Sequence, residues 1–110
     1  VMRPARCVFA AAVVATVFAA PSHADVDTDF AERLHGYGIY GARDYNAWLG
    51  KLVCKRLVNG VDHNAFDSVA FVGNNLHGSD TEQAWQFVGT ALSTYCPDKT
   101  IVLEQAGGIR

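Results

Sequence analysis

Side chains suited to proton transfer or metal binding are few in this 110-residue sequence, and they are scattered along it. Beyond residue 24 the histidines are His35, His63 and His77, and none of them forms the HxxxH or HExxH pair that puts two ligands on one helical face. His63 follows Asp62, a carboxylate able to orient an imidazole, although such residues at a helix start commonly serve as solvated caps. Ser68, Ser79 and Ser93 have no nucleophile-elbow setting, and Ser79 reads better as a cap. No phosphate-binding loop or dinucleotide fingerprint occurs. The carboxylates Asp29 and Glu32 have the spacing of a capping box. An enzyme would need His35, His63 or His77 to meet Asp62 or Asp67 in a cleft. The expectation is therefore no catalytic residue, no metal site and no cofactor.

Binding residues are more plentiful. The stretch HGYGIYG brings His35, Tyr37 and Tyr40 together among three glycines, and Trp48 and Trp85 add further large aromatics. Haem or a lipid tail held between helices, with Tyr or His as an axial ligand, is one use for such residues. Filling of the core is the plainer use. On the glycine-rich stretch the structural reading leads. Gly38 suits the left-handed residue that ends a helix, with Ile39 as the apolar residue just beyond it. Tyr45, Trp48, Leu49 and Leu52 form a second candidate, an apolar helix face for a protein partner or a homodimer, rimmed by Lys51, Lys55 and Arg56.

The elements that would position these groups begin after residue 24. Arg3 and Arg6 precede an apolar run from Cys7 to Ala20, and Pro21, Ser22, His23 and Ala24 follow. This is the layout of a secretory signal peptide cleaved after Ala24, too short to span a bilayer comfortably. Without an arginine pair, general secretion is expected. Residues 25–110 keep seven basic and eleven acidic residues, a formal charge of −4 that argues against nucleic acid. Cys54 and Cys96 are the cysteines left in this part, and in an exported protein they most simply form one disulfide. Closing that loop is worth about 4 kcal/mol as an upper guide, a large share of the roughly 5–15 kcal/mol that holds a domain together.

The periodicity predicts an all-α fold, a small bundle of about four helices stapled by the disulfide. The first starts near Asp29, capped by Asp29 and Glu32, and ends at Gly36 and Gly38. The second runs from Asp44 as cap to Asn59, with Gly60 as its stop. It is apolar nearly all round, which places it at the bundle centre, and small Ala47 and Gly50 beside Cys54 allow a neighbour to come close. The third covers Asp62 or Asn64 to Asn74, with Phe66 and Phe71 on different faces. The fourth opens on a Ser79–Glu82 capping box, carries an apolar stripe from Ala84 to Tyr95 and stops at Pro97. Residues 98–110 read as a tail with a short strand or helical turn at Thr100 to Leu103 and a frayed end at Gly107 and Gly108.

Taken together, these residues resemble a family of small secreted mycobacterial proteins, domain of unknown function 732. The likeness rests on an acidic start with Phe30 and Leu34, then Gly38-Ile39, Gly50, Val53-Cys54, Leu57, Gly60, and Tyr95-Cys96-Pro97, across most of residues 27 to 97. The resemblance implies an exported helical domain with Cys54 and Cys96 as bridge residues, and it supplies no catalytic residue. The functional expectation is an exported, non-catalytic domain that binds a protein partner or a cell-envelope component. The alternative is a carrier of a hydrophobic small molecule such as haem or lipid, and a hydrolase ranks last.

Overall fold

The computed structural model describes residues 23–108, so the expected signal peptide lies, apart from its last two residues, outside the described part. Five α-helices and one 3-10 turn make up the fold, and no strand occurs among the described residues: α1 (His23–His35), α2 (Arg43–Val58), α3 (Ala65–Asn75), α4 (Thr81–Tyr95), the turn Pro97–Lys99, and α5 (Ile101–Gly108).

Helix starts differ from expectation in instructive ways. α1 begins upstream of Asp29, because nothing between His23 and His35 breaks a helix and Asp25 in its first turn favours the positive end of the dipole. Asp29 is thus an interior residue and not a cap. α2 takes Ala42 as its N-cap, a residue with no side-chain acceptor to offer, and Asp44, inside the first turn, pairs with Arg43 at 2.7 Å. The capping box of α4 sits one residue later than the Ser79–Glu82 pattern. Asp80 accepts from the Gln83 N–H, and the Gln83 side chain accepts from the Asp80 N–H. Ser79 instead donates its hydroxyl to the Leu76 carbonyl. Asn64 caps α3 as expected, accepting from the Asp67 N–H.

Helix ends follow expectation closely. Ile39 N–H reaches the Leu34 carbonyl and Gly38 N–H the His35 carbonyl, with Gly38 at φ 78°, which is the Schellman pattern. Ile39 is buried and packs into the core beside Leu34. The same pattern closes α2 at Gly60, φ 76°, through Val61 N–H to the Arg56 carbonyl.

α4 packs against α1, α2 and α3 and has the more continuous buried face: Ala84, Phe87, Val88, Thr90, Ala91 and Leu92. α2 also touches the other three but keeps an outer face, so the expectation that it fills the centre is corrected. Its inner row, Ala47, Gly50, Val53, Cys54 and Leu57, is buried as a set, while Lys51 and Lys55 stay in water. Phe30 stands at the heart of the core, edge-on to Phe87 at 5.4 Å and to Tyr95 at 5.1 Å. Cys54 and Cys96 are joined, with Cα atoms 6.0 Å apart, tying α2 to the end of α4. The segment after Pro97, expected as a tail, folds back as α5 against α3. There Leu103 and Val102 pack on the core and Ala106 is buried.

Candidate functional site

The groups with chemical potential are dispersed over the surface or engaged in joints between helices. His35, His63 and His77 are all exposed. His63 lies 3.6 Å from an Asp67 oxygen, and its backbone N–H donates to the same carboxylate, so this pair frames the open start of α3 and forms no cleft. Asp62, the expected orienter of His63, points elsewhere. Buried at 4% exposure, it accepts two hydrogen bonds from the Arg56 guanidinium, at 2.9 and 3.1 Å, and one from the Ser68 hydroxyl at 3.1 Å. The guanidinium also lies over the Phe71 ring, 4.0 Å from its centroid. These contacts lock the α2–α3 connection. No group of three or more His, Cys, Asp or Glu able to hold a metal occurs among the described residues.

A second joint links three helices. Tyr95 donates its hydroxyl to Asp27 at 2.7 Å, and Lys51 donates to the other Asp27 oxygen at 3.2 Å. Burial pushes the Tyr95 phenol well above its ordinary value, and the hydrogen bond to Asp27 pushes it further. At Asp27 burial acts to raise the carboxyl, but the Tyr95 and Lys51 hydrogen bonds and the nearby cations outweigh it, and the net direction is down. A phenol held neutral against a carboxylate held charged is a fastener between α1 and α4.

The HGYGIYG segment is a pinned helix-to-helix turn. Gln83, already part of the α4 cap, donates its side-chain amide to the Tyr37 carbonyl at 3.2 Å, and Asn46 donates to the Tyr40 carbonyl at 3.4 Å. His35 and Tyr40 stack with ring centroids 4.8 Å apart, and Tyr37 and Tyr40 point to solvent at 47% and 67% exposure instead of covering the core.

The expected partner face of α2 is divided. Leu49 is fully buried and belongs to the core, because its row turns inward with Val53, and Leu52 is half-buried. Tyr45 and Trp48 remain exposed, rings 5.6 Å apart, with the Tyr45 hydroxyl donating to the Asn75 carbonyl at 2.6 Å.

A concavity lies elsewhere, between α3, α4 and α5. It has a volume of about 640 Å³ and is lined by Phe66, Thr81, Glu82, Trp85, Leu103, Ala106 and Gly107. Phe66 and Trp85 meet edge to face, centroids 5.2 Å apart, and Phe66 is 46% exposed. Apolar walls with a few polar groups at the edge are the usual make-up of a binding site, and the size lies in the usual range of roughly 300–1,000 Å³. Sequence reasoning missed this groove because its third wall is α5. The available signals were the i, i+3 pair Leu103 and Ala106, and the realisation that Phe66 cannot share a face with Phe71.

The family model "Protein of unknown function (DUF732)" matches residues 26–98. Two uncharacterized proteins of Mycobacterium tuberculosis, one from strain CDC 1551 / Oshkosh and one from strain ATCC 25618 / H37Rv, are each 47% identical to this chain over 97 residues, covering 86% of it and 87% of the relative. No solved structure matches. The matched segment contains both cysteines, the core helices and two walls of the groove, and the chain belongs to the DUF732 family.

Proposed function

We propose that the protein is an exported, non-catalytic binding module that takes an apolar segment of a protein partner into the groove between α3, α4 and α5. The observation that supports this reading is the Phe66–Trp85 pair, a half-exposed ring and a partly buried one that meet edge to face in a concavity walled by Leu103 and Ala106, whereas the exposed Tyr37, Tyr40, Tyr45 and Trp48 do not line it. Aromatic side chains in such positions are the common anchors of protein interfaces. A small ligand is favoured less, since binding sites of that kind bury most of the ligand surface, whereas Phe66 here stands open to solvent. For haem or lipid carriage between the helices, His35, Tyr37 and Tyr40 sit at the α1–α2 turn and line no part of the groove. Export is inferred from the basic start, apolar run and small residues of positions 1–24, and a disulfide suits an oxidising compartment.

The test is an NMR titration of the isotope-labelled, disulfide-bonded protein with a leucine-rich amphipathic helical peptide that carries no net charge. The expected result is a set of shift changes confined to Phe66, the Trp85 indole N–H, Leu103 and their neighbours. Shifts centred on Trp48, or none at millimolar peptide, would overturn the assignment to this groove.

A further inference from the structure

The charge at the groove mouth specifies its occupant further. Glu82 is the only charged side chain among the described residues lining the groove. It is exposed, and no hydrogen bond or ion pair engages it among the described residues. Its neighbour Asp80 is committed to the α4 cap. Thr81 adds a hydroxyl at the same end, and the Trp85 indole N–H donates to no acceptor among the described residues. The apolar walls Phe66, Leu103 and Ala106 therefore run up to one carboxylate, in the first turn of α4, that has no cationic side-chain partner among the described residues.

We infer that the groove selects a partner segment whose apolar anchors are flanked by a basic residue, which seats against Glu82 while the anchors lie on Phe66, Trp85 and Leu103. This rests on the groove being the recognition surface. The same carboxylate disfavours anionic amphiphiles, since a fatty-acid carboxylate or a haem propionate would bring like charge to the mouth. Charge at a solvent-exposed rim adjusts preference by modest factors, and the aromatic wall supplies most of the affinity.

The experiment compares two synthetic amphipathic helical peptides with the same leucine face, one flanked by Lys and the other by Glu. Binding to the disulfide-bonded protein is followed by Trp85 fluorescence in a W48F background, which leaves Trp85 as the single tryptophan. The Lys peptide should bind about fivefold more tightly, and the preference should vanish in E82Q and in about 1 M salt, where the Debye length falls to about 3 Å. F66A should weaken both peptides at least about tenfold, with thermal melting used to show that the half-exposed site still folds. Equal binding of the two peptides, with F66A still effective, would overturn the role of Glu82 and leave the groove reading intact. Failure of both peptides to bind, or binding insensitive to F66A, would overturn both. Concentration-dependent self-association abolished by F66A would make a second copy the occupant and overturn the basic-flank inference.

Discussion

The edge of the Phe30 ring occupies the space that a side chain at residue 50 would need. A Cβ built on Gly50 would lie 2.9 Å from two Phe30 ring carbons and 3.1 Å from a Tyr95 ring carbon. Glycine is therefore required here by packing, at a helical position where it would otherwise be a cost. Alanine would gain up to about 1 kcal/mol of helix propensity but would overpack the junction of α1, α2 and α4, a loss of about 1–3 kcal/mol. G50A should be destabilised by about 1–2 kcal/mol net in urea unfolding. Shortening the ring in the F30L/G50A double variant should recover part of that loss, so that the two changes are non-additive. Strict additivity would show that the close approach is not what keeps residue 50 small.

The Asp27–Tyr95 fastener gives stability a pH dependence at both ends. Asp27 has a lowered folded-state pKa, so its contribution is present above the ordinary carboxylate value of 3.8 and is lost as pH falls below it. Tyr95 has a raised folded-state pKa, so its contribution is complete below the ordinary phenol value of 10.0 and declines as pH rises beyond it. Y95F removes a hydrogen bond to a charged acceptor that is still partly open to solvent, worth about 1–2 kcal/mol near neutrality. Unfolding midpoints followed from acid to alkaline pH should show the wild type falling towards Y95F at both extremes. Coincident curves across the whole range would mean that the hydroxyl contributes nothing to folding, and parallel curves with a constant gap would mean that its contribution is not linked to the charge on Asp27.

Much of this architecture was legible in the sequence where a local rule carries the information. Gly38-Ile39 and Gly60 marked two helix ends because only the left-handed conformation permits that hydrogen-bond pattern, and both ends have the expected bonds. Gly50 and Ala47 marked the close face of α2 because small residues on an apolar row imply a neighbour. The bridge between Cys54 and Cys96 followed from simple arithmetic on cysteines. Caps were less legible, since Asp29, Asp44 and Ser79 each satisfy the composition rule, while α1 starts upstream of Asp29 and nearby partners take the Asp44 and Ser79 side chains. The groove was not legible. Phe66 and Trp85 are 19 positions apart and meet Leu103 only because the chain turns back after Pro97, a decision made by tertiary packing rather than by any local pattern.

The Cys54–Cys96 bridge joins positions 42 apart in sequence, tying the middle of the fold to the end of α4. Restraining the loop between them in the unfolded chain is worth about 4 kcal/mol in the chain-entropy model. The C54S/C96S protein should lose about 3–4 kcal/mol, which for a domain of this size lowers the melting temperature by roughly 15–30 °C. Both positions are buried, so serine hydroxyls there add a desolvation cost, and the reduced but unsubstituted protein isolates the contribution of the bridge itself. A melting temperature unchanged by reduction would show that the core alone holds α2 against α4.

Asp62 offers the sharpest single-site test of how the α2–α3 connection is held. Its side chain is 2% exposed and is engaged by Arg56 and Ser68 together, while the Arg56 side chain is 29% exposed. Removing the carboxylate leaves a guanidinium and a hydroxyl without their acceptor, and loss of one partner of a buried pair costs about 3–5 kcal/mol. Because Arg56 can turn partly to water, D62A should fall just below that range, at about 2–3 kcal/mol. Replacing both members, as in R56L/D62L, removes the stranded charge and should cost less than D62A alone, since leucine at position 56 beside Phe71 supplies packing in its place. Urea denaturation of the two variants distinguishes the accounts. If the double variant is the less stable, the ion pair makes a net contribution to folding that apolar packing cannot match, and the connection is held by electrostatics. If it is the more stable, the pair serves to fix the path of residues 59–64 between the helices, and its gain lies in specifying that path.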